Sequence, residues 1–513
     1  MNVHDLLSEL SRRDIRIGVD NGQLLIRAPR GALSEPLSAA LREHKAHILD
    51  LLTSRSEAPA ELDPAEDETP HWSQQSFEQF MFSDSPQLVE VNGLAQWRQA
   101  VKDEGLLPMF EVPHLSGPRT VVQVEQAPHE STDMLNFASY NYMGYATHPE
   151  VIAAAKASLD TYGLGAASSP VLSGTLGVHR DLEQAIVDLL GQPDHGVSLF
   201  SSGYGTNLGA ISAFLNPGQV LVCDRKAHMS ILEGGKLAGA RMCYFEHNDP
   251  DDLDRVLGSL APDKNRVLVA VEGLYSVDGD FGRIAEIAAV CQSRGAYLLV
   301  DEAHSMLLTG PGGRGVAAAQ GVLDKVDLLI MTFSKSFGGV GGGLYARKEI
   351  VQYVNWYARC RMFSAALDPA VTGGLVRSAQ LAMGPDGARR RARLHRNAEA
   401  LRARLQGRFD LGGSASWIVS VRCGAHDKTP YLADWLRREG QLDVGIVAFP
   451  AVPRDASRLR LFVTSEHTEA QLDRAAEVLL QAGEQFGFLL DHPMPMPSNP
   501  RDVDTVATSV MAP

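Results

Sequence analysis

AYLLVDEAHSMLLTGPGGRGVAAAQGVLDKVDLLIMTFSKSFGG, residues 296–339, decides how this chain is read. Two short apolar runs within it, AYLLV and VDLLIM, have the length and near-continuous hydrophobicity of strands buried on both faces. The first leads into Asp301-Glu302-Ala303-His304, and the second into Thr332-Phe333-Ser334-Lys335-Ser336-Phe337-Gly338-Gly339. An acid and a lysine thus stand each at the end of a buried strand, one crossover apart.

That pair is what pyridoxal phosphate chemistry needs. Lys335 would hold the cofactor as a Schiff base, and Asp301 would sit against the pyridine nitrogen and keep it protonated, so that the ring accepts electrons from a substrate carbanion. Taken singly, Lys335 is a solvated loop lysine, Asp301 a helix cap and His304 a satisfied structural histidine. Together, with GGVGGG crowding the lysine and lowering its pKa, they point to a site.

Outward from this stretch, the 513 residues, 44% hydrophobic and 21% charged, have the composition of a soluble globular protein with a sizeable core. A formal net charge of −15 argues against a nucleic-acid binder or a binder of anionic membranes. Five scattered cysteines, Cys223, Cys243, Cys291, Cys360 and Cys423, show neither disulfide nor zinc spacing, so no metal site is expected. They read as core residues of a reducing compartment, and with no signal-like or membrane-spanning apolar segment the expected location is the cytoplasm.

Residues 1–53 read as a separate module. Leu6, Leu7 and Leu10 form a helical stripe, IRIGVDNGQLLIRAP alternates around the hairpin signal Asp20-Asn21-Gly22, and SEPLSAALREHKAHILDLL offers a Ser34 cap, Pro36 and an amphipathic helix. Residues 54–72 are acidic, contain proline and read as a flexible linker. From about residue 73, the runs VSLF, VLVC, VLVAV, YLLV and VDLLIM alternate with amphipathic stretches, predicting a mostly parallel sheet covered by helices. Residues 73–135 lead into a large domain over 136–371, a smaller α+β domain over 372–485 carries WIVSVRC and RLRLFV, and 486–513 form a tail.

Ser201-Ser202-Gly203-Tyr204-Gly205-Thr206-Asn207, where a strand gives way to a helix, supplies backbone donors and hydroxyls for a phosphate, and Thr332 can add another hydroxyl. LFSSGYGTNLGAISAFL, DRKAHMSILEGGKLAGA, VEGLYSVDGD, DEAHSMLLTGPGGRG and TFSKSFGGVGGG, in this order and spacing, resemble the α-oxoamine synthases from about Asn136 to Leu480. That resemblance implies the fold-type-I transferase fold of pyridoxal phosphate enzymes: an α/β large domain with a seven-stranded, mostly parallel sheet, then a smaller C-terminal domain. It also implies that His228 stacks on the pyridine ring, that Asp301 binds its nitrogen, that His304 approaches the phenolic oxygen and that Lys335 forms the Schiff base. Ser202, Gly203, Tyr204 and Thr332 would hold the phosphate, with Glu272 and Ser276 lining the pocket. Arg460, in Arg458-Leu459-Arg460-Leu461, matches the arginine that grips the amino-acid carboxylate, and Asn141 lies in the substrate-facing motif. Members are commonly homodimers, and Ser364 matches a region that serves the neighbouring chain's phosphate.

The motif Phe137-Ala138-Ser139-Tyr140-Asn141-Tyr142-Met143-Gly144 has Tyr140 where relatives usually carry asparagine; Pro170 replaces a frequent arginine, Met306-Leu307 a glycine-containing turn, and Ala365 a frequent hydroxyl residue. VDNGQLLIRAPRGALSEPLSAALREHKAHILDLL resembles the TubC-type docking domains of nonribosomal peptide and polyketide assembly lines, which capture a short segment of a partner by strand addition. The reaction implied is a decarboxylative condensation of an amino acid with an acyl thioester, giving an α-amino ketone. The docking-like module directs the choice of donor to an acyl carrier protein. A coenzyme A-dependent synthase of primary metabolism, an aminotransferase and a decayed docking protein are the competing readings.

Overall fold

The computed structural model describes residues 16–20, 23–27, 37, 40, 41, 44, 45, 87–106, 112–127, 130–260, 267–449 and 451–490. The chain divides into two units, Met1–His71 and Trp72–Pro513. In the first, strands β1 (Arg16–Asp20) and β2 (Gln23–Arg27) pair antiparallel with Asp20 opposite Gln23, as expected of the hairpin signal Asp20-Asn21-Gly22. Of the helix expected after Ser34, Leu37, Ala40 and Leu41 are helical and buried. The helix expected before β1, the linker 54–72 and the tail beyond residue 490 lie outside the described residues.

The second unit opens with helix Gln87–Asp103 and a hairpin of β3 (Val121–Ala127) and β4 (Glu130–Asn136). Its central sheet contains β5 (His195–Phe200), β6 (Val220–Asp224), β7 (Arg241–Phe245), β8 (Val267–Glu272), β9 (Tyr297–Asp301), β10 (Leu328–Thr332) and β11 (Gly342–Arg347). Their spatial order is β5-β11-β10-β9-β8-β6-β7, and β11 alone runs against the rest. Every apolar run picked out from the sequence lies on a strand of this sheet. Such strands are covered on both faces, which is why they lack polar alternation; β6 and β10 are buried at every residue.

Two strands have no counterpart among those runs. β7, RMCYF, is an edge strand with exposed residues and an arginine start, so it lacks a continuous apolar signature. β11, GGLYAR, begins in glycines that read as loop; there the backbone approaches helix Gly203–Phe214 so closely that a Cβ on Gly342 would meet Thr206 Oγ1 at 2.4 Å.

Toward the C-terminus, β12 (Ile418–Gly424), β14 (Gly445–Val447) and β15 (Ser457–Phe462) form an antiparallel sheet, with β12 and β15 on WIVSVRC and RLRLFV. The short β13 (Leu442–Asp443) instead pairs with β4. Trp417, fully buried just before β12, donates its Nε1–H to the carbonyl of His304 at 3.0 Å, tying this sheet to the segment after β9. Among the described residues no helix is long and apolar enough to cross a membrane.

The turn after β10 depends on Gly338, whose φ of 77° is left-handed and whose absent Cβ would lie 2.3 Å from the Ala146 nitrogen. Gly338→Ala is expected to lower the thermal midpoint by several degrees, because backbone must move and the conformation is itself strained for alanine. An unchanged midpoint in a melting experiment would show that the turn is not held this tightly.

Candidate active site

The C-terminal ends of β5, β6, β8, β9 and β10 converge on a cavity of about 390 Å³, the usual place for a ligand in an open α/β sheet. After β5, Ser202 caps helix Gly203–Phe214 by accepting the Gly205 N–H at 2.9 Å. The first-turn N–H groups of Gly203 and Tyr204 have no acceptor within the helix, and the helix dipole makes this end favourable for an anion. Only glycine fits at 203, since a Cβ would come within 2.5 Å of Thr332 Oγ1. Thr332, at the end of β10, shares a hydrogen bond with Ser334 Oγ at 2.9 Å. One wall of the cavity is therefore built of hydroxyls and N–H donors.

Across it stands Asp301 at the end of β9. Its Oδ2 accepts from Asn207 Nδ2 at 2.7 Å and its Oδ1 from the Ala303 N–H at 2.9 Å, so the carboxylate is fixed in direction. Asn207 Nδ2 is also 3.0 Å from Ser230 Oγ, which lies 2.7 Å from His228 Nδ1. His228 caps helix Met229–Ala238, and its N–H donates to Glu272 Oε1 at 2.7 Å. Burial lowers the His228 pKa and so favours a neutral, flat imidazole. Burial, and next the nearby charge of Asp301, push Glu272 well above the usual carboxylate range.

Lys335 lines the same cavity, with its Nζ 2.8 Å from His304 Nε2 and 5.8 Å from the centre of the Tyr140 ring. Desolvation pulls the amine down to about 8, against the opposing charges of Asp301 and Glu272. His304, buried and next to that amine, is pushed well below the ordinary histidine value. Its Nδ1 is 2.9 Å from the hydroxyl of Tyr142.

Arg460 reaches the cavity from β15. One Nη donates to the carbonyl of Ser276 at 3.0 Å, while its buried Nε has no partner among the described residues. Two residues earlier in the strand, buried Arg458 pairs with Asp278, whose other oxygen takes Lys226 Nζ at 2.6 Å. The segment from Ser276 to Asp278 is thereby bound twice to β15. His247 then locks Asp280 to Asp224, at 2.9 Å from each. Burial opposes its protonation, yet the two carboxylates raise it to about 9.

One residue expected at the site is placed elsewhere. Asn141 does not line the cavity: its Nδ2 donates to the Pro118 carbonyl at 3.0 Å and its Oδ1 accepts the Ala146 N–H at 3.1 Å, so the carboxamide is spent on holding backbone. Its neighbour Tyr140 does line it. Ser364 follows helix Arg359–Met362 and is absent from the cavity wall, the role implied for it being toward a neighbouring chain. Of the positions where the sequence departs from related motifs, Met306 and Leu307 are fully buried core residues, with Leu307 at φ 69°. Asn207, Ser230, Ser334 and Tyr142 belong to the site or its support, yet sequence reasoning gave no role to the last three and placed Asn207 only in the phosphate-binding segment, not against Asp301. Asn207 was within reach, standing one turn beyond Gly203 on a helix already singled out.

Comparison with known proteins matches residues 132–479 to the family described as aminotransferase class I and II, and residues 3–53 to the TubC N-terminal docking domain. Serine palmitoyltransferase of Sphingomonas paucimobilis is 35% identical over 409 residues, covering 78% of this chain and 94% of that protein. 8-Amino-7-oxononanoate synthase of Pseudomonas paraeruginosa is 35% identical over 381 residues, covering 72% and 92%. A solved structure of the S. paucimobilis enzyme with a bound pyridoxal phosphate–myriocin aldimine superposes with a TM-score of 0.73, at 35% identity, over 79% of this chain and all of that one.

The residues present suit pyridoxal phosphate. An anion-favouring helix end, a directed carboxylate, a flat neutral imidazole and an amine of lowered pKa surround one cavity, and Arg460 Nε has no acceptor among the described residues. Since only a neutral amine attacks an aldehyde, cofactor-free protein mixed with pyridoxal phosphate should develop visible absorbance at a rate that climbs as pH passes through about 8. A stopped-flow rate still climbing steeply above about pH 10, as for an ordinary lysine, would contradict the lowered pKa.

Proposed function

Because the chain belongs to the α-oxoamine synthases within the class I and II aminotransferase family, we propose that it condenses an amino acid with an acyl thioester, with loss of carbon dioxide, to give an α-amino ketone. The observation that carries this reading is the meeting of Lys335, Asp301, His228 and Arg460 at one cavity. Bound pyridoxal phosphate supplies a sink for negative charge at the α-carbon of the amino acid. The residues of this chain do the rest.

Arg460 holds the substrate carboxylate through its guanidinium fork, with its orientation set by the Ser276 carbonyl. Asp301, oriented by Asn207 and Ala303, would keep a proton on the pyridine nitrogen of the bound cofactor. His228 would cover one face of the ring, and the helix end at Ser202-Gly203-Tyr204, with Thr332, would receive the phosphate. Lys335 removes the α-proton, a task suited to an amine whose pKa lies near neutrality and whose position is fixed. A carbon–carbon bond then joins the α-carbon to the thioester carbonyl as the carbon–sulfur bond breaks and the thiolate leaves; the carboxylate departs as carbon dioxide, and the proton held by Lys335 returns to the α-carbon.

The acyl donor we infer is carried on a protein. A free thioester needs no tether, whereas residues 3–53, matched to a docking domain, would raise the local concentration of a donor protein into the millimolar range typical of linked modules, on the order of 1 mM. The product then belongs to an assembly line for a natural product. The working form we infer is a homodimer; the exposed side chains of Trp356, Tyr357 and Phe363, shortly before Ser364 in the chain, support it.

Two experiments test this reading. Lys335→Ala should lower turnover by about 10²–10⁴-fold, the span usual for loss of a positioned base, in an assay of thiol release; turnover within twofold of wild type would refute the assignment. Removal of residues 1–53 should impair condensation with the carrier-bound donor while sparing a small thioester mimic. Equal loss, or none, with both donors would favour a free coenzyme A substrate.

A further inference from the structure

Tyr142, His304 and Lys335 form a chain of polar contacts, 2.9 Å from phenol to Nδ1 and 2.8 Å from Nε2 to Nζ. Tyr142 is completely buried, its ring set edge-on to Trp417 and Phe462, and among the described residues its hydroxyl meets no polar partner other than His304. Both residues are also fixed by backbone, the Ser465 N–H donating to the Tyr142 carbonyl at 2.8 Å and Trp417 to that of His304.

Only one arrangement of protons satisfies this chain when the amine is neutral. If Nδ1 carried the imidazole proton, it would donate to the phenol oxygen, and the phenol's own hydrogen would point into aromatic packing without an acceptor. If the phenol donates to Nδ1, every group is satisfied, and the imidazole proton must lie on Nε2. Burial keeps the phenol protonated, and so a donor. We propose that Tyr142 is a positioning residue that sets the tautomer of His304, so that the imidazole presents an Nε2–H donor to the reacting groups at Lys335. The inference rests on the functional reading above, in which that donor serves the oxygen of the cofactor beside the lysine, and it assigns the task of orienting it to a residue outside the cavity wall.

The direct test is ¹⁵N spectroscopy of histidine-labelled wild-type protein, with the His304 signals identified by their loss in His304→Gln. In cofactor-free protein at about pH 9, where the amine of Lys335 is neutral, and again in the holoenzyme, the expected result is an unprotonated Nδ1 and a protonated Nε2. A proton on Nδ1 in either form would overturn the proposal. In Tyr142→Phe holoenzyme, the pH midpoint of the visible cofactor band should shift by about one unit, a tenfold change in equilibrium. kcat should fall about tenfold, with KM for the amino acid unchanged. A variant that is merely less stable would lower the melting point and leave band and midpoint intact, which would also overturn the proposal. A wild-type protein that never gains a visible band would instead refute the cofactor reading, and the cofactor-free spectrum would still decide the tautomer.

Discussion

Desolvation of one amine organises the chemistry of this molecule. Lys335 sits in a cavity that disfavours its charge and draws it to about 8, and every group near it is arranged so that this loss is useful. Glu272 is raised and His228 and His304 are lowered by the same burial, which favours the neutral form of all three. Against this stand the carboxylate of Asp301, which favours the charged amine, and the guanidinium of Arg460, which disfavours it. A cavity with so few fixed charges at its centre strengthens each one it keeps, because little water is present to screen them.

The fold makes such a site by bringing distant segments to one edge. Parallel strands deliver their C-terminal ends to the same side of the sheet, so Ser202, His228, Glu272, Asp301 and Thr332 become neighbours without any long loop having to be ordered. Each side chain is then held by a rigid element and a second contact: Asp301 by Asn207 from a helix, Arg460 by the carbonyl of Ser276, His304 by Trp417. Precision of this kind is available because the strands behind it are fully packed.

How much of this could be read in the sequence follows from how local each cause is. Strands buried on both faces announce themselves as apolar runs, so the sheet and the order of its catalytic ends were legible, and the spacing of five motifs named the family. β7 and β11 were not, since an edge strand and a glycine-led strand carry no such signature. Asn141 was misplaced because nothing within its motif reveals which of three successive side chains turns inward; the choice is made by the carbonyl of Pro118 and the N–H of Ala146. Tyr142 escaped for a related reason, its partner lying 162 residues away.

The pairing of Arg458 with Asp278 shows how the smaller sheet is made part of the site. Removing Asp278 would strand the buried guanidinium of Arg458, a loss of about 3–5 kcal/mol in comparable pairs, whereas keeping both contributes little net stability. A buried pair of that kind is better understood through what it prevents. With Asp278 held by Arg458 and by Lys226, the segment that carries Ser276 cannot drift from β15 or from the turn that carries His228. Arg460, next but one along the same strand, therefore keeps its distance from the imidazole of His228 even though the two residues are 232 positions apart, 460 minus 228. The guanidinium that would hold the substrate and the imidazole that would cover the cofactor are tied, in the end, to a single carboxylate.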